Sequence, residues 1–325
     1  MKIDLSRHSP VTTASIVVAV IFTVFAGVVY TKDKPSNIKD AKPVPPFHAT
    51  NFSGISPKAT FLVFGDWGTG SASQKNIAQR MAEKAKADGA QFAVLVGDNF
   101  YPTGVSSVSD PQWKTKYADI YTQPQFQMPF YVALGNHDWV QAQSPQAEID
   151  YTAHDERWHL PARYYTFSWT ISPTSKIDFF ALDTTPIEEG KTDEIKTQSE
   201  WLEGQLAKST ARWKIVFGHH PVYSNGLHGD TKTMVEKFKP LFEKYHVDAY
   251  LCGHDHDIEI LKPVNGVHYI VSGGGAGHRD MHWGDNTVFA MTNTGFVWCA
   301  ATDNLLEAQC IDRDGKTEYV YDMRK

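Results

Sequence analysis

The segment "FAVLVGDNFYPTG", Phe92–Gly104, decides the fold class of this chain. It begins with five apolar residues and stops at Gly97-Asp98, and a tyrosine follows at position 101. An apolar run of this length without alternation predicts a strand that is buried on both faces. The carboxylate of Asp98 and the phenol of Tyr101 therefore stand on the loop that leaves a buried strand.

Four other short apolar runs end in the same way, at a glycine followed by polar residues. They are "TFLVF" before Gly65-Asp66, "FYVAL" before Gly135-Asn136-His137-Asp138, "WKIVF" before Gly218-His219-His220, and "DAYLC" before Gly253-His254-Asp255-His256. Helical patterns lie between these runs, and strands that alternate with helices make an α/β fold. Ligands bind beyond the carboxyl ends of the strands in such folds. We therefore expect the five polar clusters to meet at one edge of the sheet.

Capping residues and apolar spacing predict three helices. Ser73 can cap a helix that runs to Asp88 and stops at Gly89. Leucines, phenylalanines and a methionine at helical spacing predict two more helices, over 197–209 and 231–245.

The side chains predicted to meet at the sheet edge are carboxylates, an amide, a phenol and imidazoles. Oxygen and nitrogen donors of these kinds suit iron, zinc or manganese. A single glycine and polar residue after a strand most often form a simple turn, so each cluster alone is a weak signal. Five such clusters at five strand ends predict a metal site. The run "SGGGAG", 272–277, lacks the lysine of a phosphate-binding P-loop and is predicted to be a tight turn bordering that site.

Composition sets further limits on the function. The chain has 325 residues, 42% of them hydrophobic, which is enough for one large domain. Its formal net charge of -6 argues against a nucleic-acid partner. Three cysteines are too few for a disulfide scaffold, which a domain of this size would not need.

The N-terminal region predicts export. Residues 1–31 contain an uncharged run of about 20 residues, long enough to span a bilayer, and are either a signal peptide cut after Ala26 or an uncleaved membrane anchor. Both alternatives place the protein in the secretory pathway, either secreted or anchored with its folded part extracellular or lumenal.

Residues 32–57 are rich in Lys, Pro and Ser and predict a linker, and 58–325 predict one folded domain, which we expect to be monomeric. Asn51 begins an Asn-Phe-Ser tripeptide, which is either an N-glycosylation site or a chance match.

The ordered motifs "GDWG", "GDNFY", "GNHD", "GHHPVYSNGLH" and "GHDH" resemble those of the metallophosphoesterases. Within that superfamily the chain is similar to the purple acid phosphatases of the small, tartrate-resistant (type 5) group, over about residues 58–325. The segment "AEIDYTAHDERWHLPARYYTF" strengthens the likeness to this group. The resemblance implies a four-layer α/β/β/α sandwich with a metal site at the carboxyl ends of the strands, and 58–325 as the catalytic domain.

The resemblance also implies a binuclear Fe(III)–M(II) centre, in which the divalent metal is Fe, Zn or Mn. Most metallophosphoesterases begin with Asp-x-His, whereas this chain has "DWG", and the family places a tyrosine where that histidine is missing. A phenolate is a hard anionic ligand that favours Fe(III), and its charge transfer to iron gives the family its colour. The implied assignments are Asp66, Tyr101 and His256 on the ferric ion, Asp98 as the bridge, Asn136, His219 and His254 on the divalent metal, and His137 and His228 facing the substrate.

The activity implied is that of an acid phosphatase, in which a metal-bound hydroxide attacks a phosphomonoester. Formal charges of +3 and +2 against two carboxylates and one phenolate leave a positive site for the phosphate, and a trivalent ion acidifies a bound water. An acidic pH optimum is therefore expected. Two alternatives stay open: a phosphodiesterase or nucleotide hydrolase on the same fold, and a membrane-tethered, inactive scaffold.

The chain departs from the animal members of the family in two places. His220 stands where those enzymes commonly carry an aromatic residue, so it is either an additional donor that contacts substrate or a buried histidine. The segment "LDTTPIEEGKTDEIKTQ" lacks the cysteine that pairs with the one before "GHDH", so Cys252 is expected to be a free thiol. Cys299 and Cys310 flank a predicted hairpin, and whether they form a disulfide is left open.

Overall fold

The structure is a computed structural model that describes residues 58–325. The predicted signal peptide or anchor, the linker and Asn51 lie outside the described residues. Within residues 58–325, no helix is long and apolar enough to cross a membrane.

Fourteen strands and five α-helices run through the described part of the chain. The strands are β1 (Ala59–Phe64), β2 (Phe92–Val96), β3 (Phe130–Ala133), β4 (Trp158–His159), β5 (Tyr165–Ser172), β6 (Ser175–Ala181), β7 (Trp213–Phe217), β8 (Ala249–Cys252), β9 (Ile258–Val264), β10 (Val267–Ser272), β11 (Thr287–Met291), β12 (Gly295–Ala301), β13 (Leu305–Asp312) and β14 (Thr317–Arg324). The helices are α1 (Ala72–Asp88), α2 (Ser144–Tyr151), α3 (Thr185–Glu188), α4 (Thr192–Lys208) and α5 (Lys239–Lys244). Shorter π-helical or 3₁₀ turns are Trp113–Ala118, Pro124–Phe126, His137–Trp139 and Met234–Phe238.

The strands form two mixed sheets of seven strands each. The first sheet has the order β14-β13-β12-β1-β2-β3-β4, and the second has the order β11-β9-β10-β8-β7-β6-β5. Strands β1 to β4 are parallel in the first sheet, and β6, β7, β8 and β10 are parallel in the second. Each sheet therefore contains four neighbouring parallel strands whose carboxyl ends share one edge.

The two sheets pack against each other through an aromatic layer. The ring of Phe179 on β6 lies 5.5 Å from the rings of both Phe61 on β1 and Phe92 on β2. Full burial of one such side chain contributes about 1.5–3 kcal/mol. Because both faces of these central strands are covered, their runs are continuously apolar, as the sequence pattern predicted.

Helices cover the outer faces of both sheets. On the first sheet, α1 contacts β12 and buries Ile77 and Met81 in the main core. On the second sheet, Leu202 of α4 and Phe242 of α5 join a separate core with Tyr250 of β8. The predicted four-layer α/β/β/α sandwich is confirmed.

The predicted helix ends need three corrections. Helix α1 is capped by Ser71, whose side chain accepts from the Gln74 N–H, and not by Ser73, which lies inside the helix; the stop at Gly89 is confirmed. Helix α4 begins five residues before the predicted start at 197, because acidic residues in its first turn support an earlier beginning. The segment predicted as 231–245 is helical only over 234–244 and changes from a π-helical turn to α5 at Lys239, where Pro240 follows.

All three cysteines are buried free thiols. In the β12–β13 hairpin, Cys299 stands opposite Ala308 and Cys310 stands opposite Val297. The two thiols are therefore offset by two residues, and the disulfide left open by the sequence is absent. Cys252 is free, as predicted.

Candidate metal centre

The five polar loops meet at one edge of the sandwich, but they come from two sheets. The loops after β1, β2 and β3 belong to the first sheet, and those after β7 and β8 belong to the second. The expectation of a single sheet edge is thus wrong in this detail, because apolar runs alone do not tell which strands pair. Three of the residues, Asp66, Asp98 and His254, have left-handed backbone conformations, with φ of 58°, 52° and 71°. Strain of this kind in residues with a Cβ is typical of functional sites.

One half of the site is built around the phenol of Tyr101. Its hydroxyl oxygen lies 3.0 Å from Asp66 Oδ1, 2.8 Å from Asp98 Oδ2 and 3.1 Å from His256 Nε2. His256 Nε2 is also 3.3 Å from Asp66 Oδ1. These four side chains place three oxygens and one nitrogen around a common point.

The other half is built around the imidazole of His219. Its Nε2 lies 3.3 Å from Asp98 Oδ1, 3.1 Å from Asn136 Oδ1 and 3.2 Å from His254 Nδ1. Its Nδ1 is held 2.9 Å from the carbonyl oxygen of Val96, which makes Nδ1 the donor and leaves Nε2 free to bind a metal. Asp98 faces both halves, with one carboxylate oxygen toward Tyr101 and the other toward His219.

The site concentrates ionisable groups with little solvent around them. Burial raises the pKa of Asp66, but His219, His256 and the N–H of His254 outweigh that effect, so the net pKa is lowered. Burial and the carboxylates of Asp66 and Asp98 raise the pKa of Tyr101 well above its ordinary value. A bound cation would reverse that balance and stabilise the phenolate.

The donor set fits a metal centre. Ligand atoms of Asp66, Asp98 and His219 all lie within 4.8 Å of one another, and all three residues are buried. Tyr101, Asn136, His254 and His256 extend this group without adding any cationic side chain other than imidazole. Two carboxylates, a phenol, an amide and three imidazoles suit hard or intermediate metals.

The two histidines predicted to face substrate lie on opposite sides of this cluster. His137 Nδ1 is 2.6 Å from the carbonyl oxygen of Pro102, and its ring centroid is 4.3 Å from that of Tyr101. The ring of His228 is centred 4.1 Å from that of His254. Both rings are therefore beside predicted ligands, one in each half of the site.

His220 is the buried histidine of the two alternatives. It is 2% exposed, and its Nδ1 lies 2.9 Å from Thr184 Oγ1. Burial, together with the nearby His219 and His228, lowers its pKa well below the usual value. The imidazole is thus buried and bonded within the loop that carries His219.

Two carboxylates inside the motifs hold the loops in place, a role that the sequence did not reveal. Asp138 accepts from the N–H groups of Asn99, at 2.9 Å, and Gly135, at 2.8 Å, and so joins two loops. Asp255 accepts from the N–H of His228 at 2.8 Å and so fixes the loop that carries this histidine. The motifs could have marked both residues, since Asp138 directly follows His137 and Asp255 stands between His254 and His256.

A sixth strand end also contributes, although it carries no glycine signal. After β6, Thr184 Oγ1 accepts from the N–H groups of His219 and His220, at 3.2 and 2.9 Å. The preceding Asp183 accepts from Trp139 Nε1 at 3.0 Å, which anchors the turn that begins at His137. This strand end therefore supports two loops of the site without supplying a predicted ligand.

Comparisons with known proteins agree with this geometry. Residues 59–257 match the family model described as calcineurin-like phosphoesterase. The chain is 35% identical to the rabbit (Oryctolagus cuniculus) "Tartrate-resistant acid phosphatase type 5" over 243 residues, which cover 68% of this chain and 74% of that protein. It is 30% identical to "Purple acid phosphatase 4" of Arabidopsis thaliana over 301 residues, or 86% of each protein. Its fold is similar to that of GAP50, the anchor in the inner membrane complex of Plasmodium, with a TM-score of 0.74 at 24% identity over 83% of this chain and 89% of that one.

The family match spans all five strand ends from which the cluster is built, and both relatives named from the curated proteins are acid phosphatases. The chain belongs to the calcineurin-like phosphoesterases, and within them to the purple acid phosphatases.

Proposed function

We propose that this protein is an acid phosphatase that hydrolyses phosphomonoesters through a binuclear Fe(III)–M(II) centre. The observation that carries the proposal is the convergence of Tyr101 with Asp66, Asp98 and His256, at 2.8–3.1 Å from its hydroxyl oxygen. The relatives named acid phosphatases support the reaction type. The phenol supports iron as one of the metals, because phenolate is a hard anionic donor.

In the proposed centre, Asp66, Tyr101 and His256 hold the ferric ion, and Asn136, His219 and His254 hold a divalent Fe, Zn or Mn ion. Asp98 would be shared by the two metals, because each of its carboxylate oxygens faces a different half of the site. When bound, the metal pair supplies a hydroxide nucleophile and offsets the negative charge of the phosphate.

The substrate is proposed to lie between His137 and His228. A cleft of about 290 Å³ opens beside the cluster and is lined in part by His228, His254 and Lys232. The Nδ1 of His137 is committed to the carbonyl oxygen of Pro102, so its Nε2 is left to orient the phosphate or to transfer a proton to the leaving alcohol. The N–H of His228 is fixed by Asp255, which keeps this second imidazole at the cleft wall.

The first test is a visible absorption spectrum of the purified protein together with its metal content. A purple band with near one iron per chain supports the proposal, whereas a colourless protein that holds two zinc or manganese ions contradicts it. Tyr101→Phe should abolish the band while the far-ultraviolet circular dichroism is kept. Tyr165→Phe is the matched control, because its buried hydroxyl donates to the backbone of Val132 and not to the cluster, and it should stay purple.

Substrate class is tested with 4-nitrophenyl phosphate and bis(4-nitrophenyl) phosphate across acidic and neutral pH. The proposal expects faster turnover of the monoester. Faster turnover of the diester would favour the phosphodiesterase alternative, and no turnover of either ester by the metal-loaded protein would favour the inactive scaffold.

We also propose that the protein is a monomer of the secretory pathway. The apolar run within residues 1–31 supports export, and its cleavage would decide between a secreted and an anchored form. N-terminal sequencing of the mature protein distinguishes these two outcomes. Light scattering tests the monomeric state.

A further inference from the structure

The loop that follows β10 brings an arginine to the substrate side of the site. Gly277 passes so close to His256 that a Cβ on it would lie 3.1 Å from the His256 Nδ1 atom. Two residues later, the N–H of Arg279 donates to the carbonyl oxygen of His256 at 3.0 Å. The backbone of Arg279 is thus fixed to the segment that carries a predicted metal ligand.

The side chain of Arg279 reaches His228. Its guanidinium Nη1 donates to Nε2 of this imidazole. A guanidinium has five N–H donors in a planar fork, and this contact uses one of them. The other four donors are left for a further ligand, next to a histidine that is proposed to face the substrate.

Arg279 differs from the other cations near the cleft in its lack of a salt bridge. Lys232 lies 3.7 Å from Glu236 Oε1, and Lys191 lies 2.6 Å from Glu189 Oε2. For Arg279, no carboxylate oxygen of the described residues lies within ion-pair distance, and its side chain is half-buried. The buried Asp257 acts on this guanidinium only electrostatically, beyond salt-bridge distance. A half-buried cation without a salt bridge is a ready binding group for an anion from solution.

We propose that Arg279 binds a second negatively charged group on the substrate, beyond the phosphate that is cleaved. The inference rests on the proposed phosphomonoesterase function and narrows its substrate class. The preferred substrates are phosphomonoesters whose leaving group carries a carboxylate or another phosphate close to the ester oxygen. A neutral leaving group would leave the guanidinium bonded to His228 alone.

The test compares two substrates of nearly equal shape, 3-carboxyphenyl phosphate and 3-carbamoylphenyl phosphate, which differ by one charge. For the metal-loaded wild-type protein, kcat/KM should be about tenfold higher for the carboxylate, the ratio expected from one charge-assisted hydrogen bond. Arg279→Gln should bring this ratio close to one, and Arg279→Lys should keep part of it, because lysine retains the charge but not the fork. Arg324→Gln is the matched control, because this exposed arginine on β14 pairs with Asp322 and does not line the cleft; it should keep the full ratio.

Two outcomes would overturn the proposal. One is an unchanged ratio in Arg279→Gln. The other is an equal loss of kcat/KM for both esters, which would mean that Arg279 acts only on His228 or on the cleaved phosphate.

A separate binding measurement keeps this result distinct from the proposed catalytic function. If the wild-type protein hydrolyses neither ester, the phosphatase proposal fails. Calorimetric titration with 3-phosphonobenzoate and 3-phosphonobenzamide then decides the role of Arg279. Tighter binding of the carboxylate that disappears in Arg279→Gln supports the subsite, and equal binding of the two ligands by the wild-type protein refutes it.

Discussion

Thr184 is expected to be a decisive supporting residue of the metal centre, although it binds no metal in the proposed assignment. Its Oγ1 accepts from two buried backbone N–H groups, at His219 and His220, and lies 2.9 Å from His220 Nδ1. Because His220 is neutral, its Nδ1 can accept the single hydroxyl proton of Thr184. Thr184→Val keeps the shape of the side chain and removes all three hydrogen bonds.

The magnitude follows from the two N–H groups that lose their acceptor. A buried donor left without a partner costs about 1–3 kcal/mol, so the loss of two acceptor contacts in Thr184→Val should lower the free energy of unfolding by about 2–6 kcal/mol. A specific unfolding entropy of about 2.1 cal/mol/K per residue over residues 58–325 amounts to about 0.56 kcal/mol/K. The expected decrease in Tm is then about 4–11 °C.

Thermal unfolding monitored by circular dichroism, together with metal analysis, checks this expectation. Thr184→Ser is the matched control, since it keeps the hydroxyl and loses one methyl group; its Tm should fall by only about 1.5 °C. The valine variant should also retain less of the divalent metal, because His219 is proposed to bind it. If the valine and serine variants have equal Tm values and full metal content, the hydrogen bonds of Thr184 do not support the loop and the reasoning is refuted.

Two further predictions concern the close approach of Gly97 to His219 and the half-buried His268. Gly97→Ala should lower metal content and Tm, because the φ of Gly97 is +92° and the added Cβ would lie 2.6 Å from His219 Nδ1. Gly266→Ala is the control, since Gly266 has a similar φ of +86° but no atom within 4 Å of the added Cβ. It should show only the backbone effect of about 1–2 kcal/mol. Equal losses in the two variants would contradict the steric argument. Burial lowers the pKa of His268 to about 4 from 6.5, so the unfolded chain binds more protons between these values and stability is lost as pH falls through them. In the wild-type protein, the free energy of unfolding should fall between about pH 6.5 and 4, and His268→Asn should make this fall smaller by about 2 kcal/mol. The measurement is Tm as a function of pH. The same pH profile in the variant and the wild type would contradict the prediction.

The strand ends were predictable because their signal is local. Each of the five runs combines continuous apolar residues with a glycine and a polar side chain, and both "FAVLV" and "WKIVF" match their strands without error. Strand pairing is not local, so the division of the five loops between two sheets could not be derived from the runs themselves. The N-cap was missed for a similar reason, since Ser71 and Ser73 are chemically equivalent and only the backbone decides which one caps α1.

The supporting residues were harder to predict than the proposed ligands. Thr184 acts on His219 across 35 positions of sequence, and the strand that precedes it ends without a glycine. Asp183 also acts over a long sequence distance, because its partner Trp139 lies 44 positions away. A ligand type can be recognised from its chemistry, whereas a supporting hydrogen bond depends on which loops the fold brings together.

The origin of the ligands in two sheets has a consequence for stability. In the proposed centre, one metal joins Asp66 of the first sheet to His256 of the second, and the other joins Asn136 of the first sheet to His219 of the second. Removing both metals with a chelator should therefore lower Tm. Each metal present at 1,000 times its Kd contributes about 4 kcal/mol, which corresponds to about 7 °C per metal. Asp98→Asn, which weakens the proposed bridge, should reduce this chelator effect. An unchanged Tm after metal analysis has shown complete removal of both metals would contradict this reasoning. It would mean that the aromatic layer between the sheets fixes the loops by itself, and that the fold holds the ligands in place without metal.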